Sequence, residues 1–286
     1  VDLDDQQAGR IRKRDPNAPP AVNPNGTTNY LNRVLTQNKV DIAVSKYWAQ
    51  LPQLEKASRR FGVPKNYLMA LWGMESSFGH YQGKYDVLSV LATLAFDGRR
   101  EALFSKEFIA AMKMLQRDHI QRHQMLGSWA GAMGQTQFMP SSYLNYAADG
   151  NGDGMKNIWT EHYDVFASIA NYLHTEGWNP NLPWGVEVTV NQPIDMALSG
   201  TEEGKQRRLT DWLNRGVSLK FQTPETQQKL TALSQTDLWL VRPDRELGRA
   251  FLVSNNYRTL LHWNKSNYFA ISIGMFADRI QQRVGE

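Results

Sequence analysis

Apolar positions recur along the chain at two spacings, helical over most of its length and alternating in short stretches past the middle. Leu68, Leu71, Trp72 and Glu75 fall at i, i+3, i+4 and i+7, which predicts a helix whose apolar stripe carries one carboxyl group. Pro64 is compatible with its first turn and Gly79 with its close. Upstream, Tyr30, Val34, Leu35, Ile42, Trp48, Leu51 and Leu54 predict short helices to about residue 60. Downstream, helices are predicted over 87–96, over 104–115 with Phe104, Phe108, Met112 and Leu115 in one stripe, over 165–173 and over 268–279. Pro140-Ser141-Ser142 predicts a further helix start with a serine cap, and 127–139 a closely packed helix or turn. Alternation over 186–190 predicts a strand, as do 238–241 and 250–253, with a short helix at 209–213. Residues 1 to 28, broken by Pro16, Pro19, Pro20 and Pro24, predict an extended arm.

At 286 residues, with 41% hydrophobic and 21% charged positions, the chain can bury one large domain or two to three small ones, which excludes disorder throughout. The net charge of +4 is scattered, and Arg10, Arg12, Lys13 and Arg14 form the one tight basic run. Without zinc-finger spacing, an RNP-like motif or a basic helix, nucleic acid is not an expected partner. The lack of cysteine removes disulfides, zinc thiolates and cysteine nucleophiles, and no histidine pair has the HExxH spacing of a catalytic zinc. No apolar run approaches the ~20 residues of a membrane span. The sequence opens at Val1, so the expectation is a processed form that has lost an upstream secretory or lipoprotein signal.

Three segments carry chemistry. A carboxyl group lined up with Leu68, Leu71 and Trp72 loses hydration of its charged form, which raises its pKa toward the range of a proton donor, so Glu75 is the candidate acid. The competing reading is a Glu near a helix end that turns to water. Asp149-Gly150-Asn151-Gly152-Asp153-Gly154 has the oxygen ligands at positions 1, 3 and 5 and the glycine at 6 of a calcium loop. Position 12 is Thr160 rather than Glu, and Glu161 and Asp164 lie just beyond as groups that could close a longer loop. Ser128 to Pro140 sets Gly131, Ala132 and Gly134 beside Trp129, Gln135, Gln137 and Phe138, a mixture suited to a sugar groove or to close packing.

Gly62-Val63-Pro64, Met74-Glu75-Ser76, 91–96, Arg99-Arg100, 127–134, Gln137-Phe138-Met139-Pro140-Ser141-Ser142-Tyr143 and the Asp-rich loop together resemble the B-type lytic murein transglycosylases, over residues 45 to 180 and more thinly to Trp263-Asn264. The resemblance implies an α+β, mainly α fold: a lysozyme-like catalytic core with an EF-hand-like calcium loop, a helical domain and a small β-containing domain. It divides the chain into an N-terminal arm and helical region (1–57), a core (58–178, of which 104–125 can pack with the helical domain), a β-containing domain (179–236) and a C-terminal part completing the core (237–286). It implies cleavage of the β-1,4 bond between N-acetylmuramic acid and N-acetylglucosamine in peptidoglycan, leaving a 1,6-anhydromuramyl end. Glu75 aligns with the single catalytic acid/base, Ser128, Gln137, Tyr172, Asn264, Tyr30, Phe138, Arg99 and Arg100 with residues that hold glycan, and Asp149, Asn151, Asp153, Met155 and Asp164 with ligands of a structural Ca2+. Implied partners are peptidoglycan strands and cell-wall synthesis proteins, with a monomer in the periplasm, outer-membrane anchored if the lost signal was a lipoprotein one.

One carboxylate suffices where the substrate's N-acetyl group replaces the second. Asp86, Asp97, Glu101 and Asp118 are the residues that could supply a second acid, and one of them about 5 to 9.5 Å across a cleft from Glu75 would instead indicate a hydrolytic muramidase. An inactive peptidoglycan-binding protein is the third reading.

Overall fold

The computed structural model describes residues 23–285. In chain order the helices are α1 (Gly26–Val34), α2 (Gln37–Ala49), α3 (Leu51–Phe61), α4 (Lys65–Ser76), α5 (Val87–Asp97), α6 (Glu101–Arg117), α7 (Pro140–Tyr146), α8 (His162–Thr175), α9 (Leu209–Asn214), α10 (Pro224–Leu233), α11 (Asn255–Trp263) and α12 (Asn267–Val284). A two-stranded ribbon joins β1 (Tyr85–Asp86) to β2 (Leu126–Gly127). A five-stranded antiparallel sheet takes β3 (Gly185–Val190), β4 (Arg207–Arg208), β5 (Val217–Leu219), β6 (Asp237–Val241) and β7 (Ala250–Val253) in the order β4-β6-β7-β3-β5.

Helix α4 is the centre of the helical core. Every residue from Asn66 to Gly73 is buried, so the stripe predicted for one face extends round the whole helix, as expected of an element surrounded by others. Helices α2, α3, α8 and α12 pack on it, and Asn66 reaches across to donate to the Ala277 carbonyl at 3.1 Å. Pro64 stands at the N-cap with extended backbone.

Period-two burial organises the sheet. In β6, Trp239 and Val241 face the helical core while Leu238 and Leu240 face a second cluster built on Trp212 and Leu233; in β7, Phe251 and Val253 take the first side, Ala250 and Leu252 the second. The sheet therefore joins the two cores, and it unites strands from both sides of the boundary expected at 236/237.

Several expectations need correction. Residues 1–22 of the predicted arm lie outside the described residues, but Gly26 already starts a helix, because the N–H and hydroxyl of Thr27 both donate to Asp244, at 2.7 and 2.6 Å, 217 residues away. Helix α6 packs Phe104, Phe108 and Leu115 of the predicted stripe half-buried against the core, but it leaves Met112 48% exposed and buries Glu107, Ala110, Ala111 and Met114, so its inward face is wider than the stripe and rotated from it. The rotation serves Glu107, whose carboxylate accepts the N–H and hydroxyl of Ser141 and so takes the capping task expected of a serine at the start of α7. Helix α11 was not predicted, although Tyr257, Leu260 and Leu261 fall at i, i+3 and i+4; its buried face also takes Asn256 and Thr259, and Asn256 donates to the carbonyls of Asn179 and Leu182, both at 2.8 Å.

Helix α12 passes the sheet closely at Gly274, where an added Cβ would stand 2.3 Å from Trp184 Cδ2. Gly274→Ala is expected to destabilise the fold by roughly 1–3 kcal/mol through overpacking, read as a lower urea midpoint with an unchanged m value.

Candidate active site

The carboxyl group of Glu75 lies in the last turn of α4, one turn beyond the fully buried Trp72. As a whole residue Glu75 is half-buried, but its carboxyl is enclosed, and this desolvation pushes its pKa up from 4.5 to about 7. One interaction opposes the rise: Trp263 at the end of α11 donates its indole N–H to Glu75 Oε1 at 2.9 Å. The contact joins residues 188 apart in sequence.

Behind Glu75 the chain turns through two non-glycine residues in the left-handed region, Ser77 (φ 48°) and Phe78 (φ 61°), before Gly79. The helix thus closes on Ser77 rather than on Gly79. Such backbone persists only where its surroundings impose it. Here Gly73 lacks the Cβ that would meet Phe78 Cε1 at 2.7 Å, so Phe78 folds back edge-on to Trp72, while Gly79 N–H donates to Ser76 Oγ at 3.0 Å. Ser76 Oγ donates to the Gln135 carbonyl at 2.7 Å, and the Gln135 amide accepts from Trp72 Nε1 and donates to the Trp159 carbonyl. The 127–139 segment, a set of turns with short bridges rather than a helix, is thereby fixed to the Glu75 helix.

The expected glycan contacts divide into groups. Phe138 and Tyr172 are 3% and 5% exposed, and their rings pack 5.5 and 4.5 Å from Trp263, so they stand beneath the indole that holds Glu75. Ser128 Oγ accepts from the N–H groups of Ala130 and Ala132, which leaves its O–H to donate outward. Gln137, itself at φ 55°, spends its Nε2 on the carbonyls of Gly134 and Gln82, which leaves Oε1 as an acceptor. Asn264 is exposed directly after Trp263, its Oδ1 accepting from Ser266 N–H. Tyr30 stacks on Tyr268 at 5.5 Å. Arg99 and Arg100 are exposed in the α5–α6 turn next to Phe96, which is 96% exposed.

Of the other acids, Asp86 and Asp97 are engaged by arginines. Asp86 caps α5 and is held below the usual carboxylate range, chiefly by its bond from Arg122. Asp97 pairs with Arg99 at 2.7 Å, Glu101 stands exposed in the first turn of α6, and Asp118 closes that helix. A cavity of about 600 Å³ is lined by Gly79, Lys84, Asp118, Ile120, Met155 and Trp159 among others, and none of the expected glycan contacts lines it.

Ligand atoms of Asp149, Asp153 and Asp164 lie within 4.8 Å of one another. Asp164 is wholly buried at the start of α8 and accepts from Gly150 and Asn157 N–H, while burial and then the charges of Asp149 and Asp153 raise its pKa. Glu161 turns away to cap α8 through Tyr163 N–H. Asn151 Oδ1 accepts Asp153 N–H and keeps a second lone pair, Met155 N–H donates to Asp153, and Arg60 anchors the loop through the Asp149 carbonyl at 2.8 Å. Three clustered carboxylates, one of them buried, form a donor set that suits a hard divalent cation.

The residues that sequence reasoning missed are Trp263 as the partner of Glu75, and His262, Glu176 and Tyr146 behind it. The sole signal for the first was the Trp263-Asn264 pair, which carries no mark of where its indole points.

The family described as transglycosylase SLT domain matches residues 6–278. The membrane-bound lytic murein transglycosylase B of Escherichia coli (strain K12) is 37% identical over 176 residues, 59% of this chain and 48% of that protein, so the chain spans about half the length of that relative. The structure aligns with TM-score 0.81 and 35% identity on SltB3 from Pseudomonas aeruginosa, solved in complex with NAG-anhNAM-pentapeptide, over 89% of this chain and 66% of that one. An Escherichia coli lytic transglycosylase solved in complex with calcium aligns with TM-score 0.76 and 26% identity, over 91% and 80%. The α+β, mainly α, lysozyme-like architecture is thus shared with lytic transglycosylases.

Because the indole bond favours the charged carboxylate, its removal raises the Glu75 pKa further. Trp263→Phe is expected to move the Glu75 midpoint in a ¹³C NMR titration above about 7; a midpoint at or below that value would show that the indole does not stabilise the charge.

Proposed function

The chain belongs to the transglycosylase SLT domain family, and on that premise we propose that it cleaves the β-1,4 bond between N-acetylmuramic acid and N-acetylglucosamine of peptidoglycan without water, with Glu75 as the sole acid and base. The observation that carries this reading is the enclosed Glu75 carboxyl with a pKa of about 7, which can both hold and accept a proton near neutrality.

In the first step protonated Glu75 gives its proton to the glycosidic oxygen as the C1–O bond breaks, and the acetamido oxygen of the muramyl residue bonds to C1. Glu75 is then a carboxylate, steadied by the Trp263 indole. In the second step it takes the proton of the C6 hydroxyl, whose oxygen attacks C1 and displaces the acetamido oxygen. The proton count balances on one residue, and the product is a 1,6-anhydromuramyl end. Ser128, with an O–H to donate, and Gln137, with a free Oε1, suit the carbonyl and hydroxyl groups of an amino sugar; Asn264, Tyr30, Arg99 and Arg100 are proposed as outer contacts, and Phe138 and Tyr172 as supports of Trp263.

A structural Ca2+ is proposed at Asp149, Asn151, Asp153 and Asp164 with the Met155 carbonyl, where it would neutralise clustered carboxylates and take no part in catalysis. The periplasm, where the substrate lies, is the proposed compartment, and no helix of the described residues is long and apolar enough to cross a membrane.

Glu75→Gln is expected to lower turnover of purified sacculi by at least ~10²-fold while sacculus binding persists. Mass spectrometry of muropeptides released by the unaltered protein should find fragments lighter by one water than hydrolytic ones. Reducing ends would instead mark a muramidase, and the absence of any released fragment a binding protein. For the metal, chelation is expected to lower the melting temperature and added calcium to restore it, because a ligand of the native state stabilises it by mass action, about 2.7 kcal/mol at a hundredfold excess over Kd. Identical melts in calcium and chelator would remove the metal from the account.

A further inference from the structure

Trp263 is backed by a continuous polar chain. Its ring lies on Tyr172, whose hydroxyl meets His262 Nδ1 at 2.6 Å and the His262 carbonyl at 3.0 Å. On its far side His262 presents Nε2 to Glu176 Oε2 at 3.4 Å, and the other oxygen of Glu176 receives the hydroxyl of Tyr146. The Tyr146 and Tyr172 rings pack at 4.2 Å. Tyr172 stands in the last turn of α8 and Glu176 caps that helix, while His262 and Trp263 are the last two residues of α11. The chain therefore clamps two helix ends together at the point from which the indole projects. Thr259 adds a bond from α11 to the Glu176 carbonyl at 3.0 Å.

Donor counting shows why the clamp holds in either charge state of the imidazole. With the proton on Nε2, that N–H points at Glu176 and Nδ1 accepts the Tyr172 hydroxyl. With both nitrogens protonated, Nδ1–H donates to Tyr172 Oη, whose hydrogen turns to the His262 carbonyl. Neither state asks the Tyr172 ring to move. Arg258, one turn back on α11, is engaged by Glu203 at 3.2 Å.

We propose that His262, held by Glu176, is a positioning residue that fixes Tyr172 and through it the Trp263 indole against the Glu75 carboxyl. Its consequence for turnover rests on Glu75 being the acid of the reaction proposed above; its consequence for Glu75 itself does not.

The test is a double-mutant cycle read on the Glu75 carboxyl by ¹³C NMR, in the full chain. His262→Ala should raise the Glu75 midpoint by roughly half a unit, in the same direction as Trp263→Phe, and the double variant should go no further than Trp263→Phe alone. His262→Asn, whose amide can still meet the Tyr172 hydroxyl, should return the midpoint toward the unaltered value. With sacculi as substrate, His262→Ala should lower kcat severalfold and leave KM within about twofold. Should His262→Ala fail to fold, Tyr172→Phe, which deletes one hydroxyl, should produce the same upward shift. A Glu75 midpoint unmoved by these variants, or an effect that adds in full to that of Trp263→Phe, overturns the proposal. Midpoints that move as expected in a protein that releases no anhydro product uphold the positioning and overturn the reaction.

Discussion

The structure is organised around one unfavourable act, the enclosure of the Glu75 carboxyl at the end of an apolar helix, relieved by one indole N–H. Burial all round α4 removes the water that would keep Glu75 charged, and the Trp263 bond returns part of what is lost. The balance weighs against stability at higher pH. Between the unfolded value near 4.5 and the folded value of about 7, the folded chain keeps a proton that the unfolded chain has released. The stabilisation that Glu75 lends is therefore complete below the first value and lost as pH rises through the second. A surface glutamate would carry no such penalty and would offer no proton near neutrality.

Holding that balance requires the two ends of the chain to meet. Glu75 lies near the start and Trp263 near the end, and the five-stranded sheet is inserted between them. A flexible insertion would leave the indole free to wander. Instead the alternating burial of β6 and β7 gives the sheet one face in the helical core and one in its own core, so the chain leaves β7 and enters α11 from a fixed point. Thr27 and Tyr268 both bind Asp244, which ties α1 and α12 to the connection between β6 and β7.

The parts of this arrangement that were legible in the sequence are those written in local spacing. Glu75 could be read because Leu68, Leu71 and Trp72 precede it at helical intervals, and β6 and β7 because strands buried on both faces read as apolar runs. The close of α4 was misplaced because Gly79 carries the usual signal, while the strain accepted at Ser77 and Phe78 is imposed by packing against Gly73 and Trp72. Helix α11 carried a short apolar spacing at Tyr257, Leu260 and Leu261 that went unread, while the buried asparagine and threonine beside it, whose partners lie on distant loops, left no local signal. The loop spacing left open whether Glu161 or Asp164 closes the loop, and the resemblance pointed to Asp164; in the structure Asp164 turns in beside Asp149 and Asp153 while Glu161 caps the helix. Long-range choices of this kind leave no periodic trace.

Helix α8 links the two chemical regions. Asp164 stands at its first turn in the acidic loop, Tyr172 lies eight residues on, about 12 Å along the axis, and Glu176 caps the far end beside His262. Its buried face runs unbroken from Asp164 to Ala170 and resumes at Tyr172, packing on α3 and α4. Enclosure of this kind gives the helix few ways to bend between its ends. Repulsion among three carboxylates would act on its N-terminal end, and a cation that quenches it would steady the same helix that supports Tyr172 and hence Trp263. A metal with no place in the reaction would in this way still help to set how firmly the indole meets the acid.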